Sequence, residues 1–470
     1  MVTSVGEKKQ DVVVIGGGMA GLIAAIEAGA PGVKVTILDK LGPMIGQGIE
    51  PWVPGGIGNE TSRSAGGGLA RFSNTTPIEE LLKQHITRGW SRIEASLIRT
   101  YLERVAEDCK WLRDDVSLPY DGRFVKGAGP AICRFLYGVV ERQGINILFK
   151  TKATKLLTDD LGRITGVRAR TAKEVTDFKA KAVVMATGGF EGNQEMMIKY
   201  VGPDITYQTV LTGCSTNTGD GHLMVLKIGA QLVNLSVCHI RTTDKFFQNG
   251  PSRHLRHIYH LGIYINKDCQ RFQDEGRVDS DTIANAIVYQ PGNKAALIFD
   301  EKARAKYPEE YETYPRKEEV IKVAGTIEEL ATKIEVPPQK LKKLIEEFNG
   351  AVRDGKALEL PIPKTDKAYK IDTPPFYGFY PVIPGFNHTL GGLKINTKAQ
   401  ALDRENNPIP GLYAAGSIVN WSFGSIYNRA GVRSFKGSYH AGNSSGLATA
   451  LVFGRMAGRS AAIEAAKSRS

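Results

Sequence analysis

The stretch Asp11-Val12-Val13-Val14-Ile15-Gly16-Gly17-Gly18-Met19-Ala20-Gly21-Leu22-Ile23-Ala24-Ala25-Ile26-Glu27-Ala28 decides the fold. Asp11 to Ile15 has the apolar run of a strand buried in a parallel sheet. Gly16 to Gly21 reads as a tight turn, and the alanine-rich segment Leu22 to Ala28 reads as a helix. A second strand, Val35 to Leu38, ends at Asp39. Glycine stands at 16, 18 and 21, and Asp39 follows the middle glycine by 21 positions. Strand, glycine turn, helix, strand and acid in that order are what dinucleotide binding requires. The glycines admit a pyrophosphate to the backbone, the helix N-terminus supplies amides and partial positive charge, and the acid accepts from ribose hydroxyls. An isolated GxGxxG also serves ordinary packing, so the complete βαβ context carries the reading.

Three further glycine loops lie far away along the chain: Ser62-Arg63-Ser64-Ala65-Gly66-Gly67-Gly68, then Ala186-Thr187-Gly188-Gly189-Phe190 after the apolar strand Ala182 to Met185, then Gly411-Leu412-Tyr413-Ala414-Ala415-Gly416 before a helix from Gly446 to Ala462. Four such loops predict that distant segments converge on one extended ligand. Glycine makes up 52 of 470 residues, above the roughly 7% of ordinary chains, which fits many tight turns and close approaches of backbone to ligand.

Between Leu235 and Lys364 the texture changes. This stretch holds His254, His257 and His260, the strand-like Gly262 to Ile265, and a charged helical section from Glu301 to Asn349. It reads as an inserted cap, with the dinucleotide texture resuming around Pro375. The expected division is a first part of the dinucleotide domain over 1–235, a capping domain over 236–370 and a second part of the dinucleotide domain over 371–470.

With 42% hydrophobic and 23% charged residues, the composition is globular and excludes disordered, coiled-coil and collagen-like chains. The net charge is +12, but the Lys and Arg residues are dispersed and form no nucleic-acid signature, so nucleic acid is not an expected partner. Five cysteines without CxxC spacing point to reduced thiols in a cytoplasmic protein and to no metal site. The N-terminal apolar run is too short for a signal peptide, and nothing has the length of a membrane span.

These residues resemble the flavoprotein subunit superfamily of fumarate reductase and succinate dehydrogenase, in its soluble branch. The resemblance covers nearly the whole chain and rests on VVVIGGGMAGLIAAIEA, ATGGFEGN, NTGDGHLM, HTLGG, IPGLYAAG and LVFGRMAGRSAA, in the family's order. The middle of the chain is most similar to tricarballylate dehydrogenases through Cys238-His239, Arg271 to Gly276, Gln290 to Gly292 and Ile298 to Asp300. The 3-ketosteroid Δ1-dehydrogenases and 4-oxocyclohexanecarboxylate desaturases are more distant relatives. The resemblance implies an α/β fold, a discontinuous Rossmann-like FAD-binding domain with an inserted α+β cap. The implied reaction is desaturation or reduction of a carbon–carbon bond beside a carboxylate or ketone. It also implies FAD held by Gly16, Gly18, Ala20, Gly21, Asp39, Lys40, Ser62, Gly67, Gly68, Ala153, Thr187, Gly188, Gly189, Asp220, Gly416, Ser444, Gly446 and Leu447. Covalent members attach the flavin through a histidine before the AxGG segment, and residues 41–84 contain none, so FAD is expected to be noncovalent.

The substrate residues match unevenly. His388 occupies the place of the fumarate-reductase histidine that binds a substrate carboxylate, where the tricarballylate branch usually lacks one. His239 matches a histidine of both branches. The family's proton-donor arginine would fall at 279, which is Asp, with Arg277 two residues earlier as a substitute. A second family arginine aligns near Ser438-Tyr439-His440, where there is none. Tyr439 or His440 aligns near the tyrosine with which ketosteroid dehydrogenases hold a ketone oxygen, which favours enolate stabilisation. Satisfied core histidines at 239 and 388 and a packing role for Tyr439 are the alternatives. No second nucleotide-binding βαβ unit is present, so electrons are expected to pass to or from a partner, a quinone or oxygen. Two other readings are a flavin-bound protein without this activity and an NAD(P)H-dependent monooxygenase.

Overall fold

Val12–Ile15, buried along its length, lies inside a six-stranded sheet whose order is Gln400–Leu402, Pro408–Ala414, Ala182–Met185, Val12–Ile15, Val35–Leu38 and Asn146–Leu148. All neighbouring pairs are parallel except Gln400–Leu402 with Pro408–Ala414. The computed structural model describes residues 5–29, 32–42, 77–88, 94–119, 125, 128–246, 255, 257–276, 280–419 and 446–467. A four-stranded sheet of Val5–Lys9, Val175–Lys179, Ile164–Arg170 and Lys152–Thr158 lies beside it.

The first helix is Met19–Ala28, one turn longer at its start than the expected Leu22. It is buried on nearly every face because the helix Gly446–Lys467 packs along it. A Cβ added at Gly454 would sit 2.9 Å from the Ala20 carbonyl oxygen, and one at Gly458 would strike that of Ala24. Both contacts advance in the same direction, so the two helices run parallel at glycine-limited distance. Arg455 ties this pair to the helix Ala95–Asp114. Its guanidinium donates to Asp108 at 2.5 Å and to Glu27 at 3.2 Å, and it stacks 4.0 Å above the Trp111 ring. Burial raises the Asp108 carboxyl above its ordinary value although Arg104 and Arg455 pull it down.

A second, six-stranded sheet is built on the long strand Phe376–Thr389, which pairs with Cys238–Thr243, Ala295–Asp300, Ile321–Ala324 and Val210–Leu211; Ile263–Ile265 pairs with Ala295–Asp300. One sequence expectation differs here. Phe376 joins the core around Leu330 and Phe348, while Tyr377, Phe379 and Val382 fill the core around Phe299. The helical section expected from Glu301 to Asn349 is interrupted by Ile321–Ala324, whose Ile321 and Ala324 are buried. A small core of Phe190, Met196, Met197, Ile240, Ala284 and Phe386 joins the two sheet systems.

Candidate active site

The glycine turn gathers the other loops around it. Gly16 has φ +110°, and a Cβ added there would fall under 3.0 Å from the Ala186 carbonyl, so the turn lies against the segment that leads into Thr187. Gly21 abuts the Gly16 carbonyl equally closely. Gly18 is the N-cap of the helix and no acid occupies the first turn, so the partial positive charge of this helix end suits an anion. Gly416 approaches the Ala20 methyl at 2.8 Å measured from an added Cβ. Because Gly454 meets Ala20, the start of the last helix at Gly446 and buried Leu447 projects two turns, about 12 Å, beyond that contact on the side of the glycine turn.

Asp39 closes the turn from the second strand. Its Oδ2 accepts from the Gly17 N–H at 2.6 Å and its Oδ1 from that of Leu41 at 2.7 Å. Burial raises this carboxyl above the ordinary range, against the pull of those two amides and of Lys40. Lys40 donates to Asp220 at 2.7 Å and to Thr218 at 2.8 Å, and Lys152, next to buried Ala153, reaches Asp220 at 2.8 Å. Burial would raise the Asp220 carboxyl, but the two lysines outweigh it and hold it below its ordinary value. A Cβ on Gly221 would collide with the Thr187 hydroxyl, which places Asp220 and Thr187 side by side. The structure therefore brings together Gly16, Gly18, Ala20, Gly21, Asp39, Lys40, Thr187, Gly188, Gly189, Asp220 and Gly416, with Ala153 next to Lys152 along the chain and Gly446 and Leu447 at the start of the last helix. Ser62, Gly67, Gly68, Ser444, Arg277, Tyr439 and His440 lie outside the described residues.

The loop Thr187 to Phe190 also meets the second sheet. The Phe190 N–H donates to the Thr389 hydroxyl at 3.2 Å, and Gly189 presses on that same hydroxyl. Thr389 follows His388, and His388 stands directly opposite His239 in the antiparallel pair. The two imidazole centroids are 4.7 Å apart. The register shifts between His239 and Ile240, where the partner strand carries the extra residue Asn387. This β-bulge turns the Asn387 amide toward His239, and its Nδ2 lies 3.2 Å from the ring Nδ1. An amide donor at Nδ1 fixes Nε2 as the protonated nitrogen. His239 is 2% exposed, and burial, then the charge of Arg241, hold its pKa well below 6.5. It is a neutral N–H donor, while His388 is half-buried.

Sequence reading missed the supporting residues. Asn217 donates to Glu191 at 2.7 Å and occupies the space left by Gly188. His222 is fully buried edge-to-face with Phe190 at 5.2 Å, and burial lowers its pKa to about 4. Asn217 and His222 belong to NTGDGHLM and Thr389 to HTLGG, so their signal was the motif; Arg241 lies in no motif. Among the described residues no group of three His, Cys, Asp or Glu is arranged to hold a metal ion, no helix is long and apolar enough to cross a membrane, and the five cysteines form no disulfide.

This geometry defines a dinucleotide-binding α/β protein whose nucleotide loop meets a pair of histidines on a second sheet. The chain belongs to the family described as FAD binding domain, which matches residues 124–433; residues 11–189 also match the description FAD dependent oxidoreductase. FAD is its cofactor. The N-terminus of Met19–Ala28, the glycine cradle that a Cβ would fill and the Asp39 acceptor suit the pyrophosphate and ribose of that group. The chain is 31% identical to an NADH:fumarate oxidoreductase of Klebsiella pneumoniae, over 97% of this chain and 48% of that protein. It is 29% identical to a urocanate reductase of Eggerthella lenta, over 96% of this chain and 74% of that protein. The solved open conformation of a flavocytochrome c3 fumarate reductase superposes with a TM-score of 0.75 at 26% identity, covering 97% of this chain and 79% of that one. The chain thus spans about half the length of the Klebsiella relative and three quarters of the Eggerthella one.

Proposed function

We propose that this chain is an oxidoreductase acting on a carbon–carbon bond activated by a neighbouring carboxylate or carbonyl, in the reducing or desaturating direction. The observation that carries the reading is the junction at Thr389. It joins the Thr187–Gly189 loop to the His239–His388 pair, so a substrate held by the histidines lies next to the flavin-binding loop. The named relatives, a fumarate and a urocanate reductase, support the same reading.

FAD, noncovalent in this reading, supplies hydride exchange when bound. The chain's own contribution is orientation and charge. Neutral His239 donates from Nε2 to a substrate oxygen without carrying a full charge into the pocket, and His388 faces the same oxygen. Asn387 fixes the tautomer of His239. The proton on the adjacent carbon is assigned to Arg277, Tyr439 or His440. The substrate is a small acidic or ketone-bearing molecule, and electrons come from a donor or acceptor outside the chain. We also place residues 236–370, extended by the strand to Thr389, as the cap between two parts of the FAD domain, and the protein in the cytoplasm.

The test is anaerobic: photoreduce the flavin-loaded protein, then add fumarate, aconitate, a ring enone or a steroid enone separately while following the flavin band. Reoxidation by an acceptor of this kind is the expected result. Reoxidation by none, together with no bleaching by saturated acids or ketones, would reject the reading. His388→Ala is expected to keep the flavin spectrum and lower turnover at least about tenfold, a loss of about 1.4 kcal/mol. Unchanged turnover would remove His388 from the mechanism.

A further inference from the structure

We infer, on the reading of the glycine turn as the FAD site, that Tyr137 is a positioning residue for the cofactor: its buried hydroxyl holds the Gly17 carbonyl and thereby aims the Gly18 N–H at the pyrophosphate. The anion-binding face of the turn is set from a helix that lies outside the glycine motif.

Gly17 occupies an unspecified position of GxGxxG, and its φ is not positive, so neither the motif nor the backbone requires glycine there. Space requires it. A Cβ on Gly17 would fall 2.5 Å from Asp39 Oδ2 and 3.1 Å from the Tyr137 hydroxyl. These two oxygens orient successive peptides. The Gly17 N–H donates to Asp39 at 2.6 Å, and the Gly16 carbonyl at the other end of that peptide is turned to Gly21. The Gly17 carbonyl accepts from Tyr137 at 3.0 Å. Its peptide is planar and trans, so the Gly18 N–H points the opposite way, out of the corner that Asp39 and Tyr137 close. No acceptor among the described residues meets that N–H. It stands at the N-cap of Met19–Ala28, the end whose partial positive charge suits an anion. Tyr137 is built for a fixed role. It lies on the helix Ala128–Arg142, is 1% exposed and packs edge-to-face on Phe149 at 5.8 Å, just past the strand Asn146–Leu148 that pairs with the strand ending before Asp39. Burial, then Cys133 and Asp39, push its phenol well above the ordinary value, so at neutral pH it is a donor. Without the hydroxyl the Gly17 carbonyl loses this partner, and the peptide gains freedom to turn its oxygen toward the phosphates and the Gly18 N–H away from them.

The experiment compares flavin-loaded wild-type protein with Tyr137→Phe, Gly17→Ala and Tyr314→Phe. Tyr137→Phe removes one oxygen and keeps the ring against Phe149, while Gly17→Ala drives a methyl into the Asp39 and Tyr137 oxygens. Tyr314→Phe deletes a buried hydroxyl that donates to Asp244 at 2.8 Å in a different core, and so controls for general loosening. Two properties are read: the 31P resonances of the bound FAD, and the rate of flavin release on dilution, followed by the fluorescence of free FAD. Tyr137→Phe and Gly17→Ala are each expected to move at least one phosphorus resonance and to speed release about tenfold, the loss of one hydrogen bond at the upper end of its usual worth. Tyr314→Phe should leave both resonances in place. Unmoved resonances in Tyr137→Phe overturn the assignment even if release is faster, because faster release alone is what a merely structural tyrosine would give. Resonances moved equally by Tyr314→Phe overturn it as well. Wild-type protein without the phosphorus signals of bound FAD would reject the placing of FAD on this turn and the role of Tyr137 together, whereas the other two outcomes reject Tyr137 alone.

Discussion

Taken from pH 7.5 to pH 5.5, the flavin-loaded protein is expected to lose about 4 kcal/mol of unfolding free energy, the contribution of three neutral histidines at about 1.4 kcal/mol each. His222 and His260 are lowered to about 4 by burial, His260 with help from Lys367, and His239 is held well below 6.5 by burial and then Arg241. Each binds a proton near 6.5 in the unfolded chain and resists it when folded. Below 6.5 the unfolded state therefore holds more protons, and stability falls with pH until the folded values are reached, near 4 for His222 and His260. His260 keeps its Nδ1 proton for the Glu275 carbonyl at 2.8 Å in the neutral form. Asp39 and Asp108, raised above 3.8 by burial, act in the opposite direction as pH approaches their range, while the histidine slope is steepest midway between the unfolded and folded values, at about pH 5 for His222 and His260. Denaturant midpoints across this range read it out. His222→Phe should reduce the loss between pH 7.5 and 5.5 by about 1.4 kcal/mol; a curve flat from 7.5 to 5.5 in the parent protein would mean that these imidazoles are not held neutral.

The parts of this molecule that a sequence reader can see are those fixed by local pattern. Strand Val12–Ile15, the glycine turn, strand Val35–Leu38 and Asp39 fall in place because each is specified by neighbours within a few residues. The loop Ala186 to Phe190 was legible for the same reason, and its meeting with Gly16 follows from the parallel pairing of Val12–Ile15 with Ala182–Met185. What pattern does not encode is pairing at a distance. The sheet to which the strand Phe376–Thr389 belongs is one such pairing, since aromatic and β-branched residues look alike in either sheet and only partners such as Phe299 decide between them. His239 and His388 were both singled out, but their opposition depends on a single bulged residue, Asn387, that no motif marks.

Gly16→Ala is expected to purify colourless and to lose about 4 kcal/mol. Two costs add. The backbone holds φ at +110°, where an L side chain is strained by about 1–3 kcal/mol. The new methyl would also press on the Ala186 carbonyl at under 3.0 Å, an overpacking of typically 1–3 kcal/mol that backbone, unlike a flexible side chain, relieves only by moving. Relief can come only by separating the strand ends that carry Gly16 and Thr187, and those are the two loops assigned to the cofactor. Flavin loss and instability should therefore appear together. Gly144→Ala separates the terms: Gly144 also has positive φ, +68°, but nothing lies within 4 Å of its added Cβ. That variant should lose no more than about 1–2 kcal/mol and stay yellow. If Gly16→Ala also stays yellow, with flavin content and denaturant midpoint like those of Gly144→Ala, the close approach of the turn to Ala186 is not what shapes the FAD site.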